Sequence, residues 1–189
     1  MISCEICGAL LDKPARGRVP RFCGTRCRVA SHRQEKRFFV PEELKDCDRW
    51  IRHKDKRPLA LGGYFLSIHD DAQWATFEDA RNCTKGDGIG FVLNGDGIVC
   101  IDLDDCVEGG VVNSEAQALI DSLPKTFVEI SPSGKGVHIW GLGHVEQGRK
   151  FERNGLKIEV YGNGRYLTVS GKTKVKAGLS RLELEDLAG

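Results

Sequence analysis

The sequence predicts an α+β protein. A largely antiparallel sheet with flanking helices is expected over residues 38–189, and a small cysteine-held unit over residues 1–37. Two observations lead to the sheet. Strand-like runs come in pairs around short Gly-rich turns, the mark of hairpins. Helical patterns fall between those pairs, which suits an antiparallel α+β arrangement. A third observation defines the N-terminal unit. Cys4-x2-Cys7 and Cys23-x3-Cys27 stand fifteen residues apart in a segment with few large apolar residues, so a metal must supply what a core cannot.

The totals narrow the classes. The 189 residues allow one domain and a small appendage, with 40% hydrophobic residues as in ordinary globular proteins. No run approaches the length of a membrane span, and the N-terminus shows no secretory signal. A cytoplasmic protein with no membrane partner is therefore expected. The net charge of +1 is unevenly spread: residues 1–57 hold 15 Lys+Arg against 8 Asp+Glu, and the remainder 13 against 19. The basic N-terminal part is the expected contact for a polyanion. Cys47, Cys83, Cys100 and Cys106 are scattered and read as reduced thiols in or near a core.

The elements follow in order. Arg28 to Arg37 has few breakers and reads as a basic helix leaving the second cysteine pair. Over residues 38–56 a linker and a helix are expected, with Pro41 in the first turn and Leu44, Cys47 and Ile51 at helical spacing. Asp70 or Asp71 is placed to cap a helix carrying Trp74, Phe77 and Ala80. Ile89–Leu93 and Ile98–Asp104 read as a hairpin about Asn94-Gly95-Asp96-Gly97. Ser114 with Gln117 forms a capping box for a helix that stops before Pro124. Phe127–Ile130 and Val137–Trp140 read as a second hairpin, and Leu156–Tyr161 with Tyr166–Val169 as a third about Gly162-Asn163-Gly164.

Chemistry gathers on three of these strands. Side chains alternate along a strand, so Val99, Ile101 and Leu103 share one face while Cys100, Asp102 and Asp104 share the other. Two carboxylates that close raise each other's pKa, a penalty that a divalent cation removes. Glu159 lies on the alternate face from Ile158 and Val160, and completes the shell if its strand is a neighbour. All-oxygen ligation favours Mg²⁺ or Mn²⁺. The turn Ser131-Pro132-Ser133-Gly134-Lys135-Gly136 collects hydroxyls, backbone N–H groups and an ammonium that suit phosphate oxygens, and His138 follows it. It is not a Walker A loop, since Glu129 stands where that motif needs glycine and Gly136 where it needs a hydroxyl. Together the set suits nucleotide transfer from a triphosphate.

The segments GIGFVLNGDGIVCIDLDDC, FVEISPSGKGVHIWG and GLKIEVYGNGRYLTVSG, taken in order, resemble the bifunctional primase–polymerase (prim-pol) family of the archaeo-eukaryotic primase superfamily, from about Trp50 to Gly171. The resemblance implies a palm built on an RRM-like sheet. It implies that Asp102, Asp104 and Glu159 hold two divalent ions, and that Ser133, Lys135 and His138 contact the incoming triphosphate, with Ser131 in the same turn. Arg165 is a further phosphate or template contact. The implied reaction adds nucleotides to a 3′-hydroxyl on single-stranded DNA, from NTPs or dNTPs. Many relatives continue into a helical priming domain or a helicase; this chain ends about twenty residues past the third segment, so a separate helicase partner is expected, or the chain is a fragment. The alternatives are a two-metal nuclease and a non-catalytic, zinc-containing DNA-binding replication accessory.

Cys4, Cys7, Cys23 and Cys27 are the expected zinc ligands, with His32 as an alternative, in a closed and therefore structural site. Arg16, Arg18, Arg21, Arg26, Arg28, Arg33, Lys36 and Arg37 surround them, as a grip on nucleic-acid phosphates would require.

Overall fold

The chain divides after Phe38 into two units, Met1–Phe38 and Phe39–Gly189. The computed structural model describes residues 2–12, 14, 17, 19–185 and 187, with the backbone alone at 33–37. In the first unit β1 (Ile2–Ser3) pairs antiparallel with β2 (Leu10–Leu11). Between them Gly8 N–H donates to the Cys4 carbonyl at 2.9 Å and Cys4 N–H to the Ala9 carbonyl at 2.8 Å, folding the first cysteine pair into a tight knuckle. Helix α1 (Thr25–Arg37) starts inside the second pair.

The second unit runs α2 (Glu42–Lys45), β3 (Trp50–Lys54), β4 (Arg57–Leu59), α3 (Phe77–Asn82), β5 (Gly88–Asn94), β6 (Ile98–Asp104), β7 (Val107–Glu108), β8 (Val111–Val112), α4 (Ser114–Ser122), β9 (Val128–Ile130), β10 (Val137–Leu142), β11 (Arg149–Arg153), β12 (Leu156–Tyr161), β13 (Asn163–Val169) and β14 (Thr173–Val175). Among the described residues these strands pair antiparallel throughout. One sheet has the order β11-β12-β6-β10-β9-β14 and a second the order β13-β5-β3-β4, with β7-β8 a small ribbon. The mixed α/β architecture with antiparallel sheets and few helices agrees with the fold class expected.

The pairings correct two of the three expected hairpins. Only β9 and β10 form one, about the Ser/Gly turn. β5 pairs with β13 and β3, whereas β6 pairs with β10 and β12, so the chain changes sheets at Asn94–Gly97. It changes back between β12 and β13. The two bends are joined by Gly95 N–H donating to the Gly162 carbonyl at 2.9 Å. Gly95 and Gly97, at φ 87° and 102°, supply the left-handed backbone that such a bend needs. Asn94-Gly95-Asp96-Gly97 does form a bend, but β5 is buried on both faces from Ile89 to Leu93. A strand without polar alternation belongs in the middle of a sheet, and gives no sign of which neighbour it takes.

Three helix expectations are also revised. Residues 38–56 contain only the single turn α2, and Ile51 lies in β3. Burial of Trp50 to His53 decides this, since a fully buried short run can be strand as easily as helix. Asp70 precedes only a 3₁₀ turn at Asp71–Gln73; α3 begins later, capped by Thr76 Oγ1 accepting from Asp79 N–H at 3.1 Å. The cap of α4 is Asn113, whose Oδ1 accepts from Ala116 N–H at 2.9 Å, while Ser114 is already helical.

The core lies behind the six-stranded sheet. Val99, Ile101 and Leu103 pack with Val137, Ile139, Ile158 and Val160 against Ala116 and Ile120 of α4. Each large aliphatic side chain buried this way contributes about 1.5–3 kcal/mol. Phe91 of β5 meets Trp140 of β10 edge-on at 5.9 Å, joining the two sheets.

Candidate active site

The other face of the six-stranded sheet carries the polar residues. Directly paired residues of an antiparallel sheet point to the same side. Glu159 pairs with Asp102, and Asp102 with His138. The same row extends to Lys150 on β11 and to Glu129 on β9. Five ionisable side chains thus stand in line across five neighbouring strands. The alternating faces inferred from the sequence put Asp102, Asp104 and Glu159 on one side, and the register does the same.

Their environments differ. Asp102 is mostly buried, with its side chain 19% exposed, and Asp104 is open to solvent. Burial pushes the Asp102 carboxyl above the usual range; His138 opposes this, and Asp104 and Glu159 add to it. Burial also acts to raise Glu159, but hydrogen bonds from Lys150 and Tyr161 override it and hold that carboxyl low. Arg165 stacks on the Tyr161 ring at 4.5 Å, and its charge favours ionisation of Asp102 and Glu159. A carboxylate crowded by negative charge, as Asp102 is by Asp104 and Glu159, suits a divalent cation. Their oxygens are not gathered as the cysteine sulfurs are: among the described residues the close cluster of metal-ligand atoms is that of the cysteines. In Glu159 both oxygens turn to Lys150 and Tyr161.

His138 is buried. Its Nδ1 lies 3.1 Å from Glu129 Oε1 and its Nε2 3.6 Å from Asp102 Oδ1. Burial acts to lower its pKa, but Glu129 first, then Asp102 and Asp104, lift it above the ordinary imidazole value. The sequence reading missed Glu129, Lys150 and Tyr161. A signal for Glu129 existed: the Ser/Gly turn closes a hairpin, and counting outward symmetrically sets Glu129 against His138.

The turn is internally braced. Ser131 is buried, and its Oγ accepts from Gly136 N–H at 3.1 Å and meets Ser133 Oγ at 2.9 Å. Its hydroxyl is thus engaged in shaping the turn. Ser133 Oγ also accepts from Lys135 N–H at 3.2 Å. Ser133 and Lys135 are exposed in the turn that precedes the Val137–Leu103 pair of β10 and β6, and the Lys135 carbonyl accepts from Val107 N–H of β7 at 2.9 Å. Gly136 has no alternative, because a Cβ there would stand 2.5 Å from the Leu103 carbonyl oxygen.

In the first unit Cys4, Cys7, Cys23 and Cys27 have their sulfurs within 4.8 Å of one another, with Cys7–Cys23 at 3.6 Å and Cys23–Cys27 at 3.5 Å. A tetrahedral zinc thiolate, with Zn–S of about 2.3 Å, sets sulfurs about 3.8 Å apart, so the donor set fits zinc. Backbone N–H groups, that of Cys7 foremost, bring the Cys4 thiol down to about 6, whereas the adjacent sulfur of Cys23 pushes Cys27 up to about 12. Thiols so crowded ionise together only around a cation. Of the basic residues expected to grip phosphate, Arg21 forks onto Glu5 at 2.8 and 2.9 Å, while Arg26 and Arg28 are exposed on α1. Arg16 and Arg18 lie outside the described residues, as do the side chains of Arg33, Lys36 and Arg37.

Fold and site together define a class: an antiparallel-sheet protein with an acidic, histidine-bearing face and an appended cysteine cluster able to hold zinc. No family model matches the chain. It has a curated homologue in the DNA primase-polymerase of Nitratiruptor phage NrS-1, with which it is 32% identical over 139 residues, 66% of this chain and 19% of the relative. The chain therefore spans about a fifth of that relative's length.

Proposed function

We propose that this chain is a metal-dependent nucleotidyltransferase of the primase–polymerase kind, extending a 3′-hydroxyl on a single-stranded DNA template. The observation that carries the reading is the row Glu159–Asp102–His138 on three adjacent strands. Support also comes from strand order. The succession β6-α4-β9-β10-β12, arranged β12-β6-β10-β9, is that of the split βαβ sheet of RRM-like palms, with β11 in place of the second helix.

Asp102, Asp104 and Glu159 would hold Mg²⁺ or Mn²⁺, which when bound supplies charge neutralisation around the reacting phosphates. Glu159 is already ionised and has only to exchange Lys150 for a metal. Asp104 is accessible, and Asp102 gains most from a cation because burial disfavours its charge. Lys135 and Ser133 project from the braced turn as contacts for the outer phosphates of an NTP or dNTP. His138 presents Nε2 next to Asp102 as a further phosphate contact, and Arg165 adds a cation on the Tyr161 side. Zinc in the first unit would be structural, with Arg26 and Arg28 on α1 as DNA-phosphate contacts. A separate helicase and a cytoplasmic setting complete the proposal. No feature of the site favours the nuclease or accessory readings.

The test is nucleotide incorporation on single-stranded DNA with Mg²⁺ or Mn²⁺, comparing NTPs with dNTPs, with and without primer. Extension is expected for the wild type and absent from Asp102→Ala/Asp104→Ala. Extension that persists in the double variant would remove the assigned site.

A further inference from the structure

We propose that Glu129 is the positioning residue of His138: from within the protein it holds the ring by Nδ1–H, so that Nε2 is aimed at the substrate side of the sheet. The inference rests on the nucleotidyltransferase reading of that face.

Glu129 is fully buried, with 0% exposure. A buried carboxylate is tolerated only when its oxygens are filled by donors. Oε2 accepts from Ser170 N–H at 3.0 Å and Gly171 N–H at 2.7 Å, and shares the Ser170 hydroxyl, 3.0 Å away, with the Ile130 carbonyl. Oε1 faces Trp140 Nε1 at 3.4 Å and His138 Nδ1 at 3.1 Å. The indole can only donate, and an ionised carboxylate can only accept. The His138 nitrogen at this oxygen must therefore carry a proton. That fixes which ring edge is turned inward and leaves Nε2, 3.6 Å from Asp102 Oδ1, as the outward one. The Trp140 ring lies edge-on to the imidazole, their centroids 6.4 Å apart, and flanks it inside the sheet. Groups that orient a functional histidine through its other nitrogen act in this way at metal and triad sites.

The competing role is a staple that merely ties Ser170-Gly171 to β9. Glu129→Gln separates the two. Its amide oxygen keeps the Ser170 and Gly171 backbone donors, so its NH₂ falls beside His138 and the more distant Trp140 Nε1. Nδ1 must then accept, and the ring is left with a proton on Nε2 alone. The measurements are ¹⁵N spectra of the His138 ring at one fixed pH, the melting temperature, and steady-state nucleotide incorporation. In the wild type a protonated Nδ1 is expected. In Glu129→Gln, Nδ1 should lose its proton while the fold survives, and kcat/KM should fall about 10–100-fold, the usual effect of an outer hydrogen-bond partner. Unchanged incorporation, or Nδ1 still protonated in the variant, overturns the proposal. If the variant does not fold, the wild-type spectrum decides: an unprotonated Nδ1 overturns the proposal and a protonated one supports it. A wild type that incorporates nothing would sink the enzymatic reading, while the spectra still test the placement of the ring.

Discussion

Asp102 and His53 show opposite ways in which a single side chain costs stability. Asp102 sits among like charges in a partly buried row, where ionisation is disfavoured. Asp102→Asn should therefore abolish nucleotide incorporation and raise the melting temperature of metal-free protein by about 2–4 °C, the shift that about 1 kcal/mol produces in a domain of this size. Calorimetry without added divalent ions checks this; a lower melting temperature would mean that the carboxylate is a structural partner. His53 lies in β3, buried, with its Nδ1 without a hydrogen-bond partner among the described residues. Burial, more than any neighbouring charge, depresses its pKa. The unfolded chain then takes up a proton near pH 6.5 while the folded one does not, so stability is full above that pH and declines below it. His53→Gln should flatten the fall in melting temperature between pH 7.5 and 5. At this scale the sequence was informative about charge and poor about company. Asp102, Asp104, Glu159 and His138 stand out as residue types on strands, but the lysine that meets Glu159 comes from a register that no spacing rule records, whereas Tyr161, two residues on along the same strand, shares its face by alternation. Ser131 reads as a free hydroxyl until its burial is known.

Elements were legible where local chemistry decides them and illegible where tertiary partners do. The Ser/Gly turn is the clearest success: its glycines and serines define a true hairpin, and Gly136 is required by the backbone beside it. Gly136→Ala would force its Cβ against the Leu103 carbonyl and should cost roughly 2 kcal/mol or more, the range for an unavoidable core clash. Chemical denaturation measures it. The start of α4 shows the opposite outcome. Ser114 and Gln117 are credible cap components in sequence, yet the geometry sets the cap one residue earlier, at Asn113. Asn113→Ala should therefore cost about 1 kcal/mol, whereas Ser114→Ala should be nearly neutral. Equal losses from both would restore the capping box. The exchange of β5 and β6 between sheets escaped the sequence because Asn-Gly-Asp-Gly is as good a bend between sheets as within one.

On the scale of the molecule, the two units depend on different forces. The described part of the first gathers four cysteines able to hold a metal, and the second is built on the apolar layer behind its large sheet. A strong chelator should unfold residues 1–38 and leave the melting transition of residues 39–189 in place. Amide-resolved NMR before and after chelation reads both; loss of dispersion throughout the chain would contradict that independence. No helix among the described residues is long and apolar enough to cross a membrane.

The bends at Asn94–Gly97 and Gly162 have a mechanical consequence. β5 with β13 and β6 with β12 are one antiparallel ribbon folded over at its waist, each half serving a different sheet. Each layer keeps its own strands but is tied to the other at both bends, so peeling one away pulls on the seam of the other. Severing the chain at Asp96 should leave two halves unable to fold alone yet able to reassemble when mixed.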